Sequence, residues 1–187
     1  MISKSSLLRE ILITLVMALV IYFGLNFSLQ NAVVVGRSME PNLHNGERVL
    51  INKLAYYFGS TPKRGDIVVF ESPEQLARGE DYVKRIIGLP GERVEIRNGY
   101  VYIHQSDGKE IRLDESAYLS QPTLNYYMSE IIPEDHYFVM GDNRNSSSDS
   151  RGGWTVPKSD IVGKAWIVIW PPSEWGVAPN HKVSSGP

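Results

Sequence analysis

Cysteine is absent from this chain of 187 residues, so neither disulfides nor cysteine-ligated metal holds the fold or does chemistry. An oxidising compartment would leave such a chain untouched. An excess of one charge sign is also missing. With 19 basic against 21 acidic residues, nothing in the balance points to a nucleic-acid partner. Histidine is scarce, at four residues, and internal repeats and low-complexity tracts are lacking. The length gives room for one ordinary domain, and a hydrophobic fraction of 42% is that of a globular protein.

What is present begins with a long apolar run. Ile11 to Leu29 carries no charge, and only Thr14, Asn26 and Ser28 are plainly polar. Nineteen residues rising 1.5 Å each cover about 28 Å, the hydrocarbon thickness of a bilayer. A cleaved signal peptide shares the basic start, but its apolar core is about 7–15 residues and ends at a small-x-small site. Here Leu29-Gln30-Asn31-Ala32 follows. A buried core helix would be amphipathic, which this run is not. Lys4 and Arg9 precede the run and the next basic residue is Arg37, so the positive-inside rule predicts a cytoplasmic N-terminus. The expected organisation is a cytoplasmic segment over 1–10, a retained anchor over 11–30 and an extracytoplasmic domain over 31–187.

Beyond the anchor, β-branched runs of strand length alternate with glycine, proline and polar turns. Strands are predicted at 48–53, 66–70, 82–87, 92–97, 100–104, 110–113, 136–140 and 163–170. Asn98-Gly99 between alternating runs is a hairpin signal. Residues 97–134 form a hairpin and loop excursion, of which 114–134 reads as a helical turn or a mobile loop. The predicted fold class is mainly β: one transmembrane helix, then a coiled, barrel-like antiparallel domain.

Two segments carry chemistry. Gly36-Arg37-Ser38-Met39-Glu40-Pro41 offers a serine in a short glycine-to-proline stretch, and Tyr82 to Gly88 puts Lys84 on a strand among apolar neighbours. A serine hydroxyl needs a base. His44 alone lies near Ser38 in sequence. His104, His136 and His181 sit in a hairpin, a strand start and the tail, and none resembles a triad motif. A lysine serves as base only when neutral, which requires its pKa of about 10.4 to fall by about two to three units. Burial in apolar surroundings lowers it. Strand alternation puts Lys84 on one face and Arg85 on the other and does not choose between them. Arginine stays protonated, so Lys84 is the usable base. A third segment, Gly141 to Arg151, is a polar loop dense in hydroxyls and charges.

The stretches 36–43, 64–70, 82–92 and 141–151 resemble, in order and spacing, the four sequence boxes of bacterial type I signal peptidases, peptidase family S26. The resemblance runs from the anchor to about Trp170. It implies a coiled antiparallel β fold, Ser38 as nucleophile, Lys84 as general base and Ser147 as a hydrogen-bonding partner of the lysine amine. It further implies a supporting ion pair of Asp149 and Arg151, structural roles beside the site for Asp142 and Arg144, and shallow pockets for small side chains lined by Met39, Leu43, Tyr82 and Val83. The implied substrates are the signal peptides of exported preproteins, cut after Ala-x-Ala beside the lipid bilayer. No metal, cofactor or nucleic acid is implied, and a monomer is expected.

Two positions depart from the family pattern. Gly36 stands where some members carry a serine whose hydroxyl helps bind the oxyanion, so that hole rests on the Ser38 backbone N–H and a second, unnamed donor, either water or another amide. Gly152-Gly153 precede Trp154 where an aromatic commonly follows the last arginine. The stretch from Gly91 to Gly141 is also too short for the large second domain of some relatives. Trp166, Trp170 and Trp175, with Pro171-Pro172, read either as headgroup-layer aromatics or as core and loop residues. The rival functions are a membrane-anchored β binding module and a self-cleaving repressor-type Ser/Lys protease. The latter requires a DNA-binding module where the uncharged span lies. A single span disfavours a channel or assembly subunit.

Overall fold

The computed structural model describes residues 4–57, 59–73 and 81–181. The ends of the predicted cytoplasmic segment and of the predicted catalytic domain, residues 1–3 and 182–187, lie outside them.

Helix α1, Lys4–Ser28, opens the chain, and its side chains from Leu7 onward are exposed. Leu7–Ser28, with a mean hydropathy of 2.2, is long and apolar enough to cross a membrane. The three plainly polar residues between Ile11 and Ser28 return their hydrogen bonds to the helix itself. Thr14 Oγ1 donates to Glu10 O (2.9 Å), Asn26 Nδ2 to Tyr22 O (3.1 Å) and Ser28 Oγ to Gly24 O (2.7 Å). That is the condition hydrocarbon imposes on any polar group it surrounds.

The helix ends at Ser28, earlier than the apolar run suggests. Leu29 and Gln30 belong instead to β1 (Leu29–Val33), which pairs with β2 (Arg48–Asn52), and the Lys53 N–H closes on the Ser28 carbonyl at 2.9 Å. The apolar run carries one residue past this junction, to Leu29, and the ladder to β2 is what marks the boundary.

The remaining strands are β3 (Ile67–Glu71), β4 (Asp81–Gly88), β5 (Arg93–Arg97), β6 (Tyr100–His104), β7 (Glu110–Arg112), β8 (Tyr127–Met128), β9 (His136–Met140), β10 (Val156–Pro157), β11 (Ile161–Trp170) and β12 (Gly176–Val177). All pairings are antiparallel. The large sheet runs β1-β2-β11-β3-β4-β9-β10 with β12 on β11, and the small one runs β7-β6-β5-β8. Asn98 and Gly99, both at positive φ, turn β5 into β6 as a primed hairpin requires. The predicted strands form within two residues of their expected bounds, and the mainly β class is observed. Residues 114–134 hold one helical turn (Leu119 N to Glu115 O, 2.9 Å) and β8.

Strand β4 is the centre of the domain. Ile86 packs with Val68, Phe70, Tyr137, Val139 and Val156, whereas Ile87 packs with Val94, Ile96, Phe138 and others under the small sheet. From Lys84 onward both faces of β4 are thus out of water, and so are both of its basic residues, Lys84 at 5% and Arg85 at 0% exposure. Arg85 grips Asp142 with two hydrogen bonds of 2.7 Å and donates to Gly65 O and Pro179 O at 2.9 Å each. Neither side chain of the pair touches solvent. Asp142→Ala strands a buried guanidinium, so chemical denaturation should record a loss of about 3–5 kcal/mol. A loss within about 1 kcal/mol, the range of surface ion pairs, would contradict this role.

Candidate active site

The two candidate residues, Ser38 and Lys84, meet. Lys84 Nζ donates to Ser38 Oγ at 2.8 Å and to Val83 O at 3.1 Å, and lies 5.1 Å from the centroid of the Tyr82 ring. Ser38 sits in the loop between β1 and β2, half-buried. The loop is pinned from below: Met39 and Leu43, 1% and 0% exposed, pack with Val34, Val49, Ile67, Ala165 and Val168. They form the floor under the serine and not open walls. Val83 packs on that cluster from the exposed side, and half-buried Tyr82 packs edge-on against Phe70.

None of the four histidines is bonded to the dyad. His44 bonds Glu47 (2.9 Å), His104 bonds Glu95 (2.8 Å), His136 bonds Glu134 O (2.8 Å) and His181 stacks on Tyr118.

The loop after β9 closes over Ser38. Asn143 N–H donates to Ser38 O (2.9 Å), and Asn143 Nδ2 donates to Arg37 O (3.1 Å). Gly141 passes so close that a Cβ there would collide with Ser38 O and with Ser147 Oγ, which leaves glycine as the only residue that fits. Ser147 therefore lies beside the dyad, across Gly141. Its hydroxyl reaches Ser148 O at 3.5 Å.

Asp149 is the hub of the loop. It accepts from Gly141 N (3.0 Å), Arg151 Nε (2.7 Å) and Arg151 Nη2 (2.8 Å). Burial alone would raise its pKa. The bonds and charge of Arg151, then Gly141 N–H and Ser147, outweigh burial and hold the carboxyl below its ordinary value.

Arg144, the other predicted support, points away from the dyad into the domain. It donates to Glu115 (2.5 and 3.1 Å), Thr123 Oγ1 (3.0 Å) and Gly141 O (3.1 Å). Tyr118 donates to Glu115 (2.7 Å), with the Arg85 guanidinium 4.2 Å from its ring centroid. Burial beside Glu115 pushes the Tyr118 pKa far up, so it stays a neutral donor. Asn42 Nδ2 donates to Asp142 (2.9 Å) and Tyr118 O (2.8 Å). Glu115, Tyr118, Asn42 and Asn143 carry no spacing signal in the sequence. Apart from the local bond between Tyr118 and Glu115, their partners stand 29 to 106 residues away.

At the predicted oxyanion position, Gly36 N–H is committed to Asn45 Oδ1 at 2.9 Å. The Ser38 N–H has no acceptor among the described residues. On β4, β9 pairs only from Arg85 onward, so residues 81–84 have a sheet edge without a strand partner among the described residues. Ladder partners Leu29–Asn52–Lys164–Val68–Lys84 cross four strand pairs, which bounds the Cα of Lys84 to within about 22 Å of the first residue after α1.

Elsewhere, Glu95, His104 and Glu110 bring three ligand atoms together on the small sheet. Arg97 already neutralises the carboxylates there, at 2.6 Å from Glu95 and 2.5 Å from Glu110.

The Asp149 linkage has a definite sign. A depressed carboxyl stabilises the fold above its unfolded pKa, and the gain is lost as pH falls through the folded one. In Arg151→Met only burial and the weaker bonds remain. The Tm gap between wild type and this variant should be widest near neutral pH and shrink on acidification. A gap that grows as pH falls would contradict the assignment.

The family model described as signal peptidase, peptidase S26, matches residues 7–170. Among curated proteins, the chain is 36% identical over 171 residues to a probable signal peptidase I-1 of Synechocystis, covering 89% of this chain and 82% of that one. It is 40% identical over 176 residues to signal peptidase I P of Bacillus subtilis subsp. natto, covering 90% and 91%. It is 35% identical over 182 residues to signal peptidase IB of Staphylococcus aureus, covering 90% and 92%. A family model matched over residues 7–170, with relatives of 35–40% identity covering about nine-tenths of the chain, makes this chain a member of the signal peptidase family, peptidase S26.

Proposed function

We propose that this chain is a membrane-anchored serine endopeptidase that removes signal peptides from exported preproteins, with Ser38 as nucleophile and Lys84 as general base. The observation that carries the reading is the 2.8 Å bond between the Ser38 hydroxyl and the amine of a lysine only 5% exposed. Lys84 takes the Ser38 proton as Oγ bonds to the scissile carbonyl carbon, and the carbonyl electron pair moves to oxygen. Collapse of that oxyanion breaks the C–N bond, and the lysine proton passes to the leaving amine. Lys84 then activates a water that hydrolyses the acyl-enzyme.

Ser147 joins in the substrate complex by turning its hydroxyl from Ser148 O toward the amine, since catalytic hydrogen bonds tighten on binding. Asp149 with Arg151, and Asp142 with Arg144, support the loop that carries it. The segment preceding the cut adds as a strand to the edge of β4 at 81–84, where backbone bonds supply affinity. Met39 and Leu43 at the floor, with Tyr82 and Val83, leave depth for small side chains only, which favours Ala-x-Ala.

Helix α1 anchors the chain as a single span with the N-terminus in the cytoplasm, and the short path from its end to Lys84 brings the dyad to the membrane surface. Trp166, Trp170 and Trp175, at 45%, 53% and 68% exposure, are surface aromatics suited to the headgroup layer. The working unit is a monomer. A binding module without catalysis would not need a nucleophile in contact with a buried lysine.

In detergent, without added metal, the protein should cleave a preprotein after Ala-x-Ala. Ser38→Ala and Lys84→Ala should each lower kcat by about 10⁴-fold or more. Lys84→Arg should be equally inactive, since a guanidinium keeps its proton. Because the base must be neutral, kcat/KM should fall as pH is lowered. Full activity in Ser38→Ala, or an acid limb that rises, would sink the mechanism.

A further inference from the structure

Gly36 leaves the oxyanion hole short of one donor, and the bonds around Ser38 identify what compensates. Gly36 N–H is spent on Asn45, so the Ser38 N–H, without an acceptor among the described residues, is the donor in place. That N–H shares a peptide plane with the Arg37 carbonyl. The bond is trans, so its N–H and C=O point in opposite directions. Asn143 Nδ2 donates to that carbonyl at 3.1 Å, and its assignment is fixed because a carbonyl oxygen only accepts. Asn143 N–H holds the next carbonyl, Ser38 O, at 2.9 Å. One residue thus clamps both peptide planes flanking the nucleophile.

We propose that Asn143 is a positioning residue for the oxyanion hole: its side-chain amide aims and polarises the Ser38 N–H through the Arg37 carbonyl. Two physical effects follow from the one bond. A hydrogen bond on an amide C=O draws electron density from its N–H and strengthens it as a donor, by about 10–30% per link in a chain. The plane is also held before charge develops, so no reorganisation is needed as the oxyanion forms. This inference rests on Ser38 being the nucleophile.

The test compares wild type, Asn143→Ala, Asn143→Asp and Ser38→Ala in the full chain in detergent, on a preprotein cut after Ala-x-Ala. A peptide aldehyde ending in a small residue serves as second probe, because its adduct with Ser38 places a tetrahedral oxygen in the hole. Both Asn143 variants lose the donor and keep the backbone clamp on Ser38 O. In them kcat should fall by about tenfold to a hundredfold, with KM within about twofold and the aldehyde binding weaker by the same factor as kcat/KM. A structural role alone would lower Tm without that parallel loss. Wild-type kcat and aldehyde affinity in both variants, with Ser38→Ala inactive, overturn the proposal alone. Activity in Ser38→Ala overturns the reading beneath it. If Asn143→Asp does not fold, Asn143→Ala decides by the same two ratios.

Discussion

The buried pair of Arg85 and Asp142 fixes where everything else in the site can be. Arg85 follows Lys84 on β4, and Asp142 precedes Asn143 and follows Gly141, so one bidentate contact registers the lysine strand against the loop that covers Ser38. Two ions out of water contribute little net stability, because desolvation cancels most of their attraction. The pair acts as a register pin. Once Asp142 is seated, Gly141 falls between Ser38 O and Ser147, and Asn143 reaches the carbonyls of residues 37 and 38.

A second layer holds that loop from behind. Arg144 and Glu115, at 1% and 8% exposure, tie the loop to the single turn at 115–119. Tyr118 bridges the two layers by bonding Glu115 and facing Arg85. The loop is therefore rigid where it meets the nucleophile and exposed at Asn145, Ser146 and Ser148. Preorganisation of this kind suits a mechanism in which negative charge appears on one oxygen and a fixed dipole must already face it.

Much of this was legible in the sequence for identifiable reasons. The apolar run, the β-branched strands and Asn98-Gly99 obey local rules, and the structure follows them. Strand alternation left Lys84 and Arg85 undecided, because it assumes one wet face and β4 has none. The protonation chemistry of arginine and the resemblance of the four segments separated them. The β1 strand was hidden because its first residue, Leu29, ends the apolar span and the adjacent Gln30 and Asn31 are not favoured strand formers. Glu115, Asn42 and Asn143 were hidden because their partners are distant in the chain, Tyr118 because the Arg85 ring contact is, and a glutamate beside Asp114 and Ser116 reads as an ordinary polar loop. The placement of Ser147 beside the dyad follows its segment. The direction of its hydroxyl, toward Ser148 O, is something no spacing rule conveys.

The central claim is that Ser38 becomes covalently acylated. Its most direct test is mass spectrometry of enzyme quenched during turnover of a preprotein peptide, followed by trypsin, which cuts after Arg37 and Arg48 and isolates Ser38. The account predicts the acyl mass on the 38–48 fragment, and its disappearance when Lys84 is replaced by alanine. Turnover with no adduct on that fragment, or an adduct on another residue, would contradict it.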